Sequence, residues 1–350
     1  MTNDAIRGSH IDISRRQNGA DTRLRGCISE RRTYKDGRLG TIEDFNVSDR
    51  AMPSATTPTE PLPVYFIGHA GVGLLFDESE DNKIVQANLR AIGKEIQTIN
   101  PPPKAILVFS GHFEAGEIHG PGVIEVNVKK TTPILHDFVN DFHDTKPFVY
   151  DYDWPHRDAP ELAHDVWKHL VKAGIKAKRV ERGVDHGVWV PFKIMFPPED
   201  PLEVPIIEVS TFHGYDLESQ IRLGEAVRSL RNQGYLIVGS GMAVHSFASI
   251  AEIHSAKTEE DKRTVADRVL AESRTFDSKI REALSKHNAG ERSAALFKLE
   301  ELPEFKRSHP TVEHFTPLLV AAGAADDSSA EPLGVDVVRP GFSYLNVRFS

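Results

Sequence analysis

The sequence predicts an α/β domain, a single mixed central sheet flanked by helices, with a metal site at the carboxyl ends of its strands. Three observations predict it. From Pro63 onward, short runs rich in Val, Ile and Phe alternate with stretches of three- and four-residue apolar periodicity, the pattern of strands covered by helices. Several of the apolar runs end in glycine and then histidine. The chain has 350 residues, 39% hydrophobic and 27% charged, which is enough to bury a full core.

Each element has its own justification. Residues 1–61 are rich in Arg, Asp, Ser, Thr and Gly, lack sustained periodicity and end in the turn-prone MPSATTPTEPLP. They read as a disordered extension ahead of a domain spanning 62–350. Arginines are frequent there, as in a transit peptide, but Asp4, Asp12, Asp21 and Glu30 spoil the acid-poor composition such signals need. PVYFIGH, 63–69, is the first strand. Val85, Leu89, Ile92, Ile96 and Ile99 then form one helical face, and the prolines at 101–103 stop that helix. AILVFSGH, 105–112, is a second strand and VIEVNV, 123–128, a third.

ELAHDVWKHLVKAG, 161–174, is a helix closed by Gly174, and PIIEVS, 205–210, a strand. DLESQIRLGEAVRSLRNQG, 216–234, is a helix capped by Asp216. YLIVGSGMAVH, 235–245, returns to the sheet. Residues 258–287 read as a charged amphipathic helix or helix pair, VEHFTPLLVAAGAA, 312–325, as a helix, and FSYLNVRF, 342–349, as a closing strand.

Composition narrows the chemistry. A net charge of −9 offers no basic footprint for nucleic acid or an anionic membrane surface, and no apolar run is long enough to span a bilayer. The single cysteine, Cys27, excludes an internal disulfide framework and a thiolate cage, which points to a reducing, cytoplasmic compartment. Any metal must therefore be held by His, Asp or Glu.

Sixteen histidines are available, and three stand out. His69, His112 and His245 each follow an apolar run broken by glycine, at the strand ends that line the ligand crevice of open α/β sheets. Three neutral imidazoles suit Fe, Zn, Cu or Ni and leave positions open for water or substrate. Spacing alone leaves a second reading open, in which each histidine only makes a local hydrogen bond. Their separations are long, unlike the H-E-x-x-H pattern of one helix. His119, His143, His164 and His169 fall in polar loops or on helix surfaces, and His10, His254 and His287 in weakly patterned segments, so these seven read as dispensable.

Five motifs in order carry a more specific signal: FIGH (66–69), VFSGHFEA (108–115), VDHGVWVPFKIMFP (184–197), VGSGMAVHSF (238–247) and HPTVEHFTPLLVAAGAA (309–325). Together they resemble the class III extradiol ring-cleavage dioxygenases, in the DOPA-dioxygenase-like branch related to the LigB catalytic subunit. The resemblance covers Pro63 to the C-terminus. It implies that His69, His112 and His245 hold one divalent metal, Fe(II) for activity with Zn(II) as a possible occupant on isolation, and that the substrates are a small aromatic diol and O2. By the same resemblance His186 of the DHG motif is the acid–base residue, suited by a reference pKa near 6.5. His314 of the P-T-x-E-H motif approaches the substrate, or packs at a helix start.

Asp185 is expected to bias the His186 tautomer or to sit exposed in a turn, and Trp189 to wall the substrate ring or pack in the core. The chain also departs from the family pattern. GHAGVG replaces GHG-[SG]-P, so that Ala70 stands for glycine and Val72 for proline; SGHF replaces SAHW, and Ser246 stands where asparagine is common. Two other functions remain consistent with the same residues: a zinc hydrolase on the three imidazoles, and a non-catalytic redox or scaffold protein like the Memo-type relatives. The scaffold is favoured if GHAGVG closes the pocket.

Overall fold

A computed structural model describes residues 60–116, 119, 120, 122–138, 142–214 and 216–350. Apart from Glu60 and Pro61, the extension expected at 1–61 lies outside them. β1 (Val64–Gly68) is buried along its length, as its unbroken apolar run requires. α1 (Glu80–Gln97) starts at Ser79, whose side chain accepts the N–H of Asn82, and it buries Val85, Leu89, Ile92 and Ile96. β2 (Ala105–Ala115), β3 (Ile124–Asn127), α2 (Pro160–Lys172) and β4 (Ala177–Val180) follow.

Then come α3 (His186–Met195), β5 (Ile206–Phe212), α4 (Leu217–Val227) and β6 (Tyr235–Gly241). After β7 (Val244–His245), the helices α5 (Phe247–Ser255), α6 (Glu259–Leu284), α7 (Ala289–Lys298), α8 (Pro303–Ser308) and α9 (Thr316–Ala325) lead to the C-terminal strands. These are β8 (Ala330–Pro332), β9 (Val338–Arg339), β10 (Phe342–Ser343) and β11 (Val347–Phe349).

The main sheet has eight strands in the order β4-β3-β5-β2-β6-β1-β11-β8. Its centre is parallel, β5 with β2, β2 with β6, and β6 with β1. Antiparallel pairs of β3 with β5, β1 with β11, and β11 with β8 make it mixed. Strand alternation splits the core in two. Leu107 and Phe109 of β2 face one layer with Leu223, Leu319 and Val320 of α4 and α9. Ile106 and Val108 face the other layer with Leu89, Ile92, Trp189 and Phe192 of α1 and α3. Because β1, β2 and β6 are parallel, their carboxyl ends lie along one edge of the sheet. Among the described residues, no helix is long and apolar enough to cross a membrane.

Several expectations are corrected. β2 does not end at His112 but runs to Ala115, with its register against β5 shifting between Phe109 and Glu114. The irregularity at this point turns His112 out of regular pairing. β6 stops at Gly241, and His245 belongs to the short β7 of a separate sheet ordered β7-β10-β9. FSYLNVRF is likewise two strands, β10 and β11. The C-terminal helix begins at Thr316, so His314 precedes it. DHGVWVPF, which gave no helical signal because it combines glycine, proline and β-branched residues, forms most of α3 with Pro191 inside it. Residues 259–284 are one helix, capped by Thr258.

Candidate metal centre

The parallel edge delivers the histidines through close backbone contacts, one of which, at Gly241, leaves no room for a side chain. His69 follows β1 and donates its N–H to Gly241 O at 3.0 Å. The segment carrying His314 lies directly over two glycines. A Cβ on Gly241 would stand 2.3 Å from His314 O, and one on Gly111 3.0 Å from Glu313 O and 3.1 Å from His314 Cα. Met242 N–H also donates to His314 O at 2.8 Å, which pins the segment across the ends of β2 and β6.

One ring nitrogen each of His69, His112 and His314 lies within 4.8 Å of the other two. The ring centroids are 5.1 Å apart for His69–His112, 5.2 Å for His69–His314 and 4.7 Å for His112–His314. Nε2 of His112 and Nε2 of His314 face each other at 3.1 Å. His245 enters through His314, on which it stacks at 3.6 Å and 8°. Thus His314, expected to approach the substrate or to pack at a helix start, has a ring nitrogen within reach of those of His69 and His112, and His245 stacks on it. His245, Glu313 and His314 form a second convergent set, and His112, Asp137 and His186 a third.

Burial keeps these imidazoles neutral. Desolvation, then the neighbouring rings, holds His69 and His314 well below the ordinary 6.5. Burial brings His112 to about 4, with His186 adding to the effect, and His245 to about 4 for the same leading reason. Neutral rings expose nitrogen lone pairs, and two facing Nε2 atoms have at most one proton to share. Such a buried all-nitrogen donor set fits a borderline divalent cation, which would satisfy several lone pairs at once.

His186 opens α3. Its backbone N–H donates to Asp137 Oδ1 at 3.0 Å, and its ring lies 3.9 Å from that of His112. Nδ1 is 3.1 Å from the same Asp137 oxygen but out of hydrogen-bonding alignment, and so is buried without a hydrogen bond. Asp185 neither lies exposed in a turn nor lines the cavity. It is fully buried, accepts from Ser110 Oγ at 2.7 Å, and pairs with Arg182 at 3.0 Å. Burial raises its carboxyl, but the bond with Glu208, the Arg182 charge and the Ser110 bond outweigh this and hold it well below the carboxylate range. Glu208, also 3.0 Å from Arg182, is pushed far up by burial and by the Asp185 charge.

The Asp185 network supports the centre from below. Ser110 Oγ accepts the His112 N–H at 3.1 Å, while Ser240 joins His69 Nδ1 at 3.3 Å and donates to the carbonyl of Gly187. Trp189 is fully buried and is absent from the cavity wall. Its Nε1 donates to Leu135 O at 2.8 Å, and its ring meets Phe138 at 6.1 Å, so it braces the loop that carries Asp137 and Phe138.

A cavity of about 560 Å³ opens onto all five histidines. Its walls include Phe76, Phe138, Phe142, Phe247, Phe342 and Tyr344. Ala70, Gly71, Val72 and Gly73 line it too, so the GHAGVG stretch borders the space and does not fill it. Sequence reasoning missed Asp137, Glu313 and the phenylalanine wall. HDF at 136–138 held the only local hint, an acid between a histidine and an aromatic. Of the histidines set aside, His119 pairs with Glu125 at 2.7 Å, His164 with Arg179 at 3.1 Å and His169 with Ala226 O at 2.8 Å. None of these three lines the cavity.

Residues 63–350 match the family model described as the catalytic LigB subunit of aromatic ring-opening dioxygenase. The chain is 31% identical over 282 residues to a 4,5-DOPA dioxygenase extradiol-like protein of Schizosaccharomyces pombe, covering 77% of this chain and 87% of the relative. It is 30% identical over 272 residues to a 4,5-DOPA dioxygenase extradiol of Beta vulgaris, covering 77% and 89%. A crystal structure of an uncharacterized protein from Escherichia coli K12 superimposes with a TM-score of 0.59 at 22% identity, over 83% of this chain and 100% of that one. That likeness concerns the fold.

Proposed function

Since the chain belongs to the LigB family of ring-opening dioxygenases, we propose that it is a metal-dependent extradiol dioxygenase that opens a small catechol with O2. The observation that carries this reading is the meeting of His69, His112 and His314, with His245 and His186 beside them, at the floor of an aromatic-walled cavity. His69, His112 and His245, together with His314, would hold the ion. When bound, Fe(II) would supply a redox path for the reaction with O2 that Zn(II) lacks.

The chain's own groups do the rest. Neutral, buried imidazoles offer lone pairs without first losing protons. His186, next to His112, takes the proton of the second catechol hydroxyl on a ring nitrogen and returns it as the ring opens. Asp137 holds the first turn of α3 through the His186 N–H and so fixes where that ring stands. Phe138, 5.6 Å from the His186 ring, packs against the aromatic substrate and excludes water. Cleavage beside the two hydroxyls yields a muconic semialdehyde.

The test is anaerobic loading with Fe(II) followed by O2 uptake on a catechol panel. Uptake with a yellow ring-opened product is expected, and only with iron. Iron bound at one per chain with no uptake on any catechol would overturn the reading.

A further inference from the structure

His309 opens the HPTVEHF stretch that carries His314, yet it lines no part of the cavity. Its ring is fully buried among Phe276, Phe305 and Phe315, with centroids 5.8, 5.9 and 5.0 Å away. A polar ring in so apolar a shell needs a partner, and it has one. Nε2 donates to Ala243 O at 2.8 Å, while Nδ1 is buried without a hydrogen bond among the described residues. Burial keeps the ring neutral, and its single proton sits on Nε2, because a carbonyl oxygen can only accept.

Ala243 stands between Met242 and the two residues of β7, Val244 and His245. Met242 N–H donates to His314 O at 2.8 Å, so the turn 309–314 grips two consecutive residues, Met242 from its end and Ala243 from its start. A single bond would leave the 242–245 segment free to pivot about Met242, and a second, one residue on, fixes its direction. On the far side β10 holds the segment through a ladder of only two residue pairs, Phe342 with His245 and Ser343 with Val244. The direction matters to His245, whose ring stacks on that of His314 at 3.6 Å and 8°. His309 is itself anchored, its backbone N–H donating to Phe305 O at 2.7 Å.

We infer that His309 is a positioning residue of the metal centre: from behind the cavity wall, its Nε2–H on Ala243 O holds the His245 ring against that of His314. The inference rests on the metal-dependent dioxygenase reading only for the ion those rings would help to hold. A phenylalanine at 309 would suit the surrounding rings, but it would leave the buried Ala243 O without its donor. The requirement is for a donor at that point, which a glutamine amide meets and an asparagine amide, one methylene shorter, does not.

Two quantities are measured on the full chain. Zn(II) affinity is read by competition with a chromophoric chelator, and the stack by NMR of the metal-free protein labelled at histidine Cε1, in which the His314 ring shifts the His245 ε1 proton upfield. His309→Gln should match wild type in both. His309→Phe and His309→Asn should lose the upfield shift and bind Zn(II) less tightly by about tenfold or more. A His309→Phe protein that melts like wild type and keeps both shift and affinity overturns the inference. Should that variant fail to fold, equal shift and affinity in His309→Gln and His309→Asn overturn it instead. Loss of both in all three variants assigns the effect to packing and overturns it as well. If wild type holds no Zn(II), yet the shift is kept in His309→Gln and lost in the other two, the metal-dependent reading falls and the positioning role stands.

Discussion

Replacing Gly187 with alanine asks whether the glycine after His186 exists so that α3 can approach the metal centre. A Cβ at this position stands 2.5 Å from Ser110 Oγ, 2.9 Å from His112 Cδ2 and 3.1 Å from Asp185 Oδ1. The first two are closer than real Cβ contacts allow. Ser110 cannot swing away freely, because its hydroxyl donates to Asp185 and accepts from the His112 N–H. The displacement therefore falls on the His112 ring or on α3. Overpacking of this kind costs about 1–3 kcal/mol, and a shifted support around a ligand lowers metal affinity by about 10–100-fold. We expect a loss of about 2 kcal/mol, a melting temperature lower by about 3 °C, and metal affinity reduced at least about tenfold. Thermal melts and metal analysis on one preparation measure both. Gly71→Ala and Gly73→Ala are the controls, since an added Cβ there meets nothing within 4 Å. A Gly187→Ala protein that melts and binds metal like wild type would refute the packing argument.

His186→Ala should keep metal content near wild type and lower turnover by about two to four orders of magnitude, whereas His69→Ala or His112→Ala should lose metal and activity together. Loss of metal in His186→Ala would make that residue a ligand. Ala70 has φ of 56°, in the left-handed region where a β-branched residue is strained. Ala70→Val should therefore destabilise by more than about 1 kcal/mol in denaturant melts, while Ala70→Gly should differ little, because relief of strain and loss of a buried methyl oppose each other. The metal-free protein should lose stability as pH falls from about 6.5 toward 4. Burial holds His112, His245 and His309 at about 4, so the unfolded chain takes up their protons at higher pH than the folded one. Their stabilisation is full above 6.5 and is lost toward the folded value, up to about 3 kcal/mol per imidazole. Urea midpoints that do not change between pH 7.5 and 4.5 would contradict this.

Much of the fold was legible because the forces that set it are periodic and local. The apolar runs that begin β1, β2 and β6 read as strands, and the spacing of Val85, Leu89, Ile92 and Ile96 had to bury one face of α1. The glycine-histidine run ends marked His69 and His112, because glycine lets the backbone bend so that the next side chain can project from the strand end. α3 was hidden for the converse reason. Its glycine, proline and valines argue against a helix, and only burial between β2, α1 and the Asp185 network makes one.

The site itself was decided by contacts that sequence separation conceals. His314 and His112 are 202 positions apart yet their nitrogens face each other at 3.1 Å. Asp137 reaches the His186 N–H across 49 positions. The sequence by itself determined a mixed α/β sheet and the residue types able to hold a metal. Only the tertiary structure brought ring nitrogens of His314, His69 and His112 within 4.8 Å of one another, stacked His245 on His314, and buried Asp185. The reason is physical: a side chain's periodic position dictates which face it takes, but the ring that meets it there is chosen by how distant segments pack across the ends of parallel strands.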